Sequence, residues 1–574
     1  MRGESGFAVA SPFWLTAWAL GLALAWLVPN HFLPWPSFHM DTWAGCIVAL
    51  GAFAVWARDL SPSRFPASAC LAAALALLPW LQFAMGLIPF AGQAWMPSIY
   101  LLGLCCAIWM GYRWERATPG QLPSAVFLAI AAAGVVSVWL QLSTWLDLWH
   151  GGFLEVWWSM TLSGDRPYAN LGQPNLLATL LIWGLLACLW FHVEGWLGAA
   201  TAILVAAYLL VGIALTQSRM ATLALATGLV AIFLWRRRWP SARLPWVCLG
   251  LFIFFLLCSP LLGWVQVLLD VGPERDFQRL GRLGGLQDIR TAAWHTFALA
   301  ALERPWLGYG WTELVHAQLA VADRLPPLHV AFAHAHNLVL DLVVWNGIPI
   351  GLAVVVAVLY WGGRTLRSVR CAQDAVLLMV LGAICIHAML ELPLHYAHFL
   401  LPVGMLVGVL DARRGAKVQF SAKRWTAALL LLAAATLLGL VVRDYLRVEQ
   451  AYTTLRFEQR RIGTAHLNPQ GPPDVILLTQ MREWFRFARY EIRPGMGDED
   501  MATLMDVAES FPTTAAFFKV GSMLALNGRP EDASQWLGRI CPLIDPEECA
   551  VIERSWQERA QGDARLQAVP WPAP

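Results

Sequence analysis

Thirteen long apolar runs constrain what this chain can fold into more than any other feature of its sequence. An α-helix crosses the hydrocarbon core of a membrane with about 20 apolar residues, and only helices and closed barrels satisfy their backbone hydrogen bonds there. Charged residues make up 14% of the chain, whereas a typical soluble domain has about 25%. The sequence therefore predicts an all-α, polytopic membrane protein with about thirteen transmembrane helices. The runs cover residues 9–29, 43–57, 67–86, 98–113, 123–141, 171–191, 197–215, 220–235, 244–264, 337–361, 375–392, 396–411 and 425–443.

Positive charges predict the direction in which these helices cross, because Lys and Arg accumulate in cytoplasmic loops. The connections at 30–42, 87–97 and 393–395 contain neither Lys nor Arg, whereas the alternate connections contain several. This alternation predicts a cytoplasmic amino terminus and a tail outside the membrane after Arg443. The first run could instead be a cleaved signal peptide, since Ala23-Leu24-Ala25 resembles a cleavage site, but the alternation favours a retained helix.

Composition divides the chain into a membrane domain, residues 1–443, and a soluble helical domain, residues 444–574. One connection in the membrane domain, 265–336, is far longer than usual, and such loops are commonly functional. Within it, Asp288–Leu302 has the periodicity of a helix. In the tail, Phe511–Cys541 has the pattern of a helix, a turn and a helix, and resembles one tetratricopeptide (TPR) hairpin.

The two cysteines of the tail, Cys541 and Cys549, form the only pair in the part predicted to lie outside. An oxidising compartment would let them form a disulfide, and the alternative is two buried thiols. No spacing of cysteine and histidine indicates a metal site. The formal net charge of +2 gives no sign of a nucleic-acid partner, and we predict none.

Three arginines and one histidine lie on the side of the membrane that the charge pattern assigns to the outside. Arg166 opens the string Arg-Pro-Tyr-Ala-Asn-Leu-Gly-Gln-Pro-Asn, and Arg219 lies in a short turn between two runs. Arg290 lies on the helical part of the long loop, and His336 lies where the tenth run begins. Charges at membrane depth are costly and usually functional. Because guanidinium groups suit phosphate and imidazole suits proton transfer near neutral pH, the combination predicts a phosphate-bearing lipid substrate and a base-catalysed transfer.

Each of these residues also has a purely structural interpretation. Arg219 could be an anchor that snorkels to the lipid–water boundary, and Arg290 could form a surface pair with a tryptophan one turn away. His334 competes with His336 for the role of base. The position of His336 beside Asn337, at the start of a span, favours it because the imidazole can there face both water and a lipid head group.

Polar residues also mark the ends of two other runs. Gln173 and Asn175 flank Pro174, which suits the first turn of a helix. Their amides could cap that helix or hold sugar hydroxyls. Glu391 is an ionisable group near the end of a span, so it should have a partner, and an arginine of the site is the expected one.

These strings together resemble the O-antigen ligase and polymerase superfamily of bacterial inner-membrane glycosyltransferases. The marks of the superfamily are Ser218-Arg219, the stretch from Arg290-Thr-Ala-Ala-Trp294 to Gly308-Tyr-Gly310, and His336-Asn337. The strings that begin at Gly172 and at Glu391 (Gly-Gln-Pro-Asn-Leu-Leu-Ala and Glu-Leu-Pro-Leu-His-Tyr) resemble the PglL-type protein O-oligosaccharyltransferases. That subgroup also has a soluble carboxy-terminal extension.

The resemblance implies that a glycan moves en bloc from undecaprenyl diphosphate to a periplasmic protein such as pilin, without a metal or another cofactor. It implies that His336 is the general base and that Arg219 and Arg290 bind the diphosphate, a role that we extend to Arg166. Gln173 and Tyr396 match positions implicated in activity in the subgroup. We assign contacts with the glycan or the acceptor to Gln173, Asn175, Asn337, Glu391 and Tyr396.

Other functions fit the same sequence. Within the superfamily, the chain could be a polymerase that joins O-antigen units, or a ligase that places O-antigen on lipid A-core, and its acceptor would then be a sugar. A transporter of lipid-linked glycans belongs to another class. Thirteen spans suit a transporter, but paired inverted repeats are not evident, and the unusual charges lie on one side of the membrane.

Overall fold

The computed structural model shows a predominantly helical chain, as the sequence predicts. The only strands within the described part, Ser63–Pro66 (β1) and Val418–Ala422 (β2), pair antiparallel with Phe65 opposite Phe420. The residues that the structure describes are 12–59, 61–146, 166–269, 286–464 and 470–572.

In the first part of the chain the helices are α1 (Pro12–Leu24), α2 (Phe38–Arg58), α3 (Ala67–Leu75), α4 (Leu78–Ala84), α5 (Ala91–Ala117), α6 (Gln121–Trp145), α7 (Pro174–Val193), α8 (Ala199–Leu215), α9 (Arg219–Leu234) and α10 (Leu244–Leu269). They continue with α11 (Leu286–Glu303), α12 (Leu314–Leu319), α13 (Leu338–Arg367), α14 (Ala372–Ala388), α15 (Ala397–Arg413) and α16 (Arg424–Gln459). The last helices are α17 (Thr479–Arg489), α18 (Asp498–Ser510), α19 (Thr514–Leu526), α20 (Pro530–Gly538), α21 (Pro546–Ala560) and α22 (Ala564–Gln567).

Eight helical segments among the described residues are long and apolar enough to cross a membrane. They are α2, α3 with α4, α5, α6, α7, the first 22 residues of α10, α13 and α16. The shorter apolar helices α1, α8, α9 and α14 coincide with four other predicted runs. The chain is therefore a membrane protein, as its sequence predicts.

Three predicted runs differ from single straight spans. The run 67–86 contains two helices, because Pro79, in the first turn of α4, has no N–H to donate to the last turn of α3. The run 337–361 is interrupted at Gly347, whose φ and ψ of 79° and 164° are not helical. The run 425–443 belongs to a longer helix, α16, which continues to Gln459.

The chain forms two compact units. The first consists of the described parts of Met1–Ala76, Ile99–Leu283 and Val358–Gly439. Its core is dominated by large apolar side chains of α1, α2, α6, α7, α14 and α15. Buried Trp183 donates from its indole nitrogen to the carbonyl oxygen of Val380 at 3.1 Å, so this polar atom of the core is satisfied by a neighbouring helix.

The second unit consists of Leu77–Ser98 and the described parts of Gly284–Ala357 and Leu440–Pro574. The predicted helix in the long loop is present as α11, and the predicted helix hairpin of the tail is present as α19 and α20. The hairpin packs closely because Gly521 leaves room for the side chain of Leu537. Cys541 and Cys549 form a disulfide with a Cα–Cα distance of 5.3 Å, which confirms the predicted pair.

Candidate functional site

In the first unit, one carboxylate holds two of the predicted polar residues. The side-chain nitrogen of Gln173 donates to Glu391 at 3.2 Å, and the side-chain nitrogen of Asn175 donates to the other oxygen of the same carboxylate at 3.3 Å. Glu391 is 7% exposed. Hydrogen bonds to a charged acceptor are stronger than neutral ones, so these bonds orient both amides. Gln173 occupies the cap position of α7, but its side chain makes no capping bond, which does not support the capping interpretation.

Asn175 also connects this carboxylate to the turn that carries Arg219. Its side-chain oxygen accepts a hydrogen bond from the hydroxyl of Ser218 at 2.7 Å. The same hydroxyl accepts from the backbone N–H of Ala221 at 3.2 Å and thereby caps α9. Three strings that lie far apart in the sequence thus meet through side-chain hydrogen bonds.

Arg219 is the first residue of α9, and its side chain is exposed. The amino terminus of a helix already carries a partial positive charge and free backbone N–H groups, so a cation adds unfavourable charge there. An anion at the same place would be favoured by both the helix and the guanidinium. The position of Arg219 is therefore suited to a phosphate group.

The segment between Arg166 and Gln173 is fixed by polar contacts of its backbone and of Asn170. The side chain of Gln141 donates to the carbonyl oxygen of Pro167 at 3.1 Å. The carbonyl oxygen of Asn170 lies 2.7 Å from Nε2 of His31. The side-chain nitrogen of Asn170 donates to the carbonyl oxygen of Leu27 at 2.7 Å. Arg166 itself is half-buried at the start of this segment.

A buried polar cluster lies near Tyr396 and was not predicted from the sequence. The carboxylate of Asp41 accepts hydrogen bonds from the hydroxyls of Ser37 and Tyr100 at 2.7 and 2.8 Å, and Nδ1 of His398 lies 2.8 Å from it. The rings of Tyr396 and His398 have centroids 5.4 Å apart. The available signal was that Asp41 and His398 are ionisable residues at the ends of apolar runs.

In the second unit, the predicted base follows a tightly held peptide. The backbone N–H of Ala335 donates to Oδ1 of Asp341 at 2.7 Å, and its carbonyl oxygen accepts from the indole of Trp294 at 3.0 Å. Asn337 caps α13, since its side-chain oxygen accepts from the N–H groups of Val339 and Leu340 at 3.0 and 3.3 Å. Arg290 lies one turn before Trp294 on α11 and is half-buried.

The backbone at His336 is strained, with a φ of 51°. Left-handed geometry costs a residue with a side chain roughly 1–2 kcal/mol. It also turns the chain back, so the ring centroids of His334 and His336 lie only 4.1 Å apart. The two imidazole rings therefore lie side by side, because a positive φ at His336 brings the two side chains together.

The helix that begins after His336 and Asn337 is supported at its break. The backbone N–H of Ile348 donates to Pro305 at 2.7 Å, and that of Tyr309 donates to Val344 at 2.9 Å. Side chains at Gly308 and Gly347 would collide with the facing backbone, so the absence of a Cβ allows this approach. Backbone groups freed by the break are thus satisfied within the protein, as a membrane protein requires.

The predicted residues therefore fall into two sets, one in each unit. Arg166, Gln173, Asn175, Arg219, Glu391 and Tyr396 belong to the first, and Arg290, His336 and Asn337 belong to the second.

Comparison with known proteins shows which families the chain resembles. Residues 204–356 match the family described as O-antigen ligase, and residues 167–192 match the protein glycosylation ligase family. Residues 375–543 match the carboxy-terminal family of the virulence factor membrane-bound polymerases. In each of these three segments the chain is similar to proteins of the O-antigen ligase superfamily. Together with the relatives described next, these matches show that the chain is a glycosyltransferase. Every predicted site residue except Arg166 lies within one of the three matched ranges.

Two curated relatives of the chain come from Acinetobacter baylyi. The chain is 28% identical over 538 residues to a general O-oligosaccharyltransferase, a match that covers 90% of each chain. It is also 28% identical over 250 residues to a ComP-specific O-oligosaccharyltransferase, covering 43% of this chain and 44% of the relative.

Proposed function

We propose that this glycosyltransferase moves a glycan en bloc from undecaprenyl diphosphate to Ser or Thr hydroxyls of periplasmic proteins such as pilin. One observation carries the proposal: the match to a general O-oligosaccharyltransferase extends over 90% of both chains, and so includes both units. The geometry in each unit then supports a role for each set of residues.

The first set suits the donor. Arg219 provides a guanidinium at the amino terminus of α9, the positive end of the helix, which favours a diphosphate. Arg166 and Arg290 are proposed as further diphosphate ligands. Because a lipid diphosphate is already a good leaving group, neutralisation of its charge by arginine can replace a general acid, and no metal is needed.

The acceptor needs a base, since a Ser or Thr hydroxyl is a weak nucleophile at neutral pH. We assign that role to His336, on a backbone held by side chains from α11 and α13. Direct attack at the anomeric carbon would invert its configuration. Gln173, Asn175, Asn337, Glu391 and Tyr396 are proposed to contact the glycan or the acceptor.

The proposal includes an arrangement in the membrane. Thirteen helices would cross the bacterial inner membrane, with the amino terminus in the cytoplasm and residues 444–574 forming a periplasmic domain that contains a TPR-like hairpin. The disulfide between Cys541 and Cys549 is compatible with an oxidising compartment.

Two related activities remain as second candidates, because the matched families also include O-antigen ligases and membrane-bound polymerases. These two activities differ from protein glycosylation in their acceptor, which is a sugar and not a protein. Purified protein would be incubated with an undecaprenyl-diphosphate-linked oligosaccharide and either a pilin subunit, lipid A-core or a second lipid-linked oligosaccharide, and the products weighed. Transfer to pilin supports the proposal, transfer only to a sugar acceptor replaces it, and movement of the donor across vesicles without transfer indicates a transporter.

A further inference from the structure

A buried carboxylate in the first turn of α13 has a role that the proposed reaction leaves unassigned. Asp341 is completely buried, and its Oδ1 accepts the backbone N–H of Ala335 at 2.7 Å. The carbonyl oxygen of Ala335 accepts the indole N–H of Trp294 at 3.0 Å. The peptide groups on both sides of Ala335, the residue before His336, are therefore held by side chains from two different helices.

This double contact explains how the loop keeps its unusual shape. His336 has a left-handed φ of 51°, a conformation that persists only where the surroundings determine it. Asn337 fixes the other side, because its side chain caps α13. The backbone of His336 is thus bounded by fixed groups before and after it, which restricts where the imidazole can lie.

The backbone contact does not by itself require a carboxyl group at position 341. An amide oxygen would accept the N–H of Ala335 equally well, and burying a carboxylate is costly. Its second oxygen, Oδ2, has no hydrogen-bond partner among the described residues. The carboxyl group lies close enough to His336 for a charge on one group to act on the other. The other titratable ring against His336 is that of His334, at 4.1 Å between centroids, and Arg290 lies one turn before Trp294.

We propose that Asp341 is a positioning residue that orients His336 and electrostatically stabilises its protonated form during transfer. This inference rests on the proposed function. In the step, the acceptor hydroxyl gives its proton to the imidazole and its oxygen bonds to the anomeric carbon. The electron pair of the broken carbon–oxygen bond leaves with the lipid diphosphate. A positive charge then appears on His336, near the buried carboxyl group of Asp341.

The decisive variant is Asp341→Asn, which keeps an oxygen for Ala335 but removes the charge. Transfer from an undecaprenyl-diphosphate-linked oligosaccharide to a pilin subunit should fall about tenfold, which is only part of the 10²–10⁴-fold that a general base contributes. The acidic limb of the pH–rate profile should move to lower pH, because protonation of the imidazole becomes harder without the nearby charge. Asp341→Glu should restore part of the rate.

A second measurement does not depend on transfer. Diethyl pyrocarbonate modifies a histidine only when its imidazole is neutral. Tandem mass spectrometry can therefore follow the modification of His336 as a function of pH. In Asp341→Asn the midpoint of this modification should move to lower pH. An unchanged midpoint overturns the role of Asp341 whether or not the wild type glycosylates pilin, whereas failure of the wild type to transfer any glycan concerns the proposed function alone.

Asp444 provides a matched control in the same unit. It is also a completely buried carboxylate, and it accepts backbone N–H groups of Ile476 and Leu477 at 2.7 and 2.6 Å. Asp444→Asn should lower thermal stability without moving the modification midpoint of His336. If both variants moved the midpoint equally, the effect would be general destabilisation, and the proposal would be wrong.

Discussion

The hydroxyl of Ser218 donates a 2.7 Å hydrogen bond to the side-chain oxygen of Asn175 and caps α9 at the same time. Because the amide nitrogen of Asn175 also donates to Glu391, a single side chain connects the Arg219 turn to the turn after α14. Short sequence motifs that are weak signals individually thereby form one hydrogen-bonded cluster. Its members should be energetically coupled, since residues of one hydrogen-bond network rarely behave independently.

Glu391→Gln tests that arrangement. The variant keeps the volume of the side chain, but it replaces two carboxylate oxygens that accept from Gln173 and Asn175 with one oxygen and one nitrogen. Hydrogen bonds to charged groups contribute about 1.5–3 kcal/mol, so we expect a loss of transfer of about tenfold or more. Glycosylated acceptor would be measured at matched levels of membrane-inserted protein. Unchanged transfer would mean that Glu391 does not orient the two amides for the reaction.

Replacement of arginine by lysine tests the diphosphate ligands. Arg219→Lys and Arg290→Lys keep the charge but lose the planar fork, so each should lose at least about tenfold in activity. Initial rates at several donor concentrations would show whether donor affinity falls. Arg237→Lys is the control, because Arg237 is exposed beyond the opposite end of α9 and should tolerate the change. Full activity with lysine at both sites would argue against bidentate phosphate binding.

His316 makes the helix α12 sensitive to pH. Burial alone would lower the pKa of His316, but its 2.8 Å hydrogen bond with Glu313 and the charge of that carboxylate raise the pKa above the usual value. A raised pKa means that the folded state favours the protonated ring, so the stabilisation is present below the unfolded pKa and disappears as pH rises through the folded one. Hydrogen exchange in residues 313–319, corrected for intrinsic rates, should speed up between about pH 6 and about pH 8. Glu313→Gln should abolish this difference, and its persistence would assign the effect to another group.

A topology experiment tests the sidedness that the proposal assumes. A reporter that is active only after export should be active when fused after Tyr445 and inactive when fused after Arg238. A reporter active only in the cytoplasm should give the opposite result. The physical reason is the positive-inside rule, which places the arginines at 236–238 in the cytoplasm. Reversed activities would put the proposed site on the wrong side for a periplasmic acceptor.

Periodicity and apolar length predicted the helices well, because lipid exposure imposes a simple requirement on each one. The run 197–215, for example, became the helix Ala199–Leu215. The break at Gly347 was not predicted, since it depends on the facing backbone of Pro305 and its neighbours, which supplies the missing hydrogen bonds. The continuation of α16 to Gln459 was also missed, because that part is polar and carries no apolar signal.

The candidate site was predictable in its residue types but not in its contacts. Arginine and histidine at membrane depth stand out in any apolar sequence. The pairing of Asp41 with His398 joins residues 357 positions apart, which no local pattern can show. Likewise, the contact between His334 and His336 arises from a positive φ at a residue that is not glycine, and sequence gives no signal for that conformation.

The proposed base provides the last test. His336→Ala should fold, insert and retain the donor, yet lose about 10²–10⁴-fold in transfer, the usual contribution of general-base catalysis. His334→Ala should lose less, because it removes a neighbouring ring but not the group that accepts the proton. Donor binding and transfer would be measured separately on the two purified variants. If His336→Ala turned over like the wild type at normal expression, this histidine would have no role in the mechanism. The arginines would then bind the leaving group for an acceptor activated in another way. Asp41 and His398 would be the first pair to examine, since theirs is the buried histidine–carboxylate contact nearest to Tyr396 in the sequence.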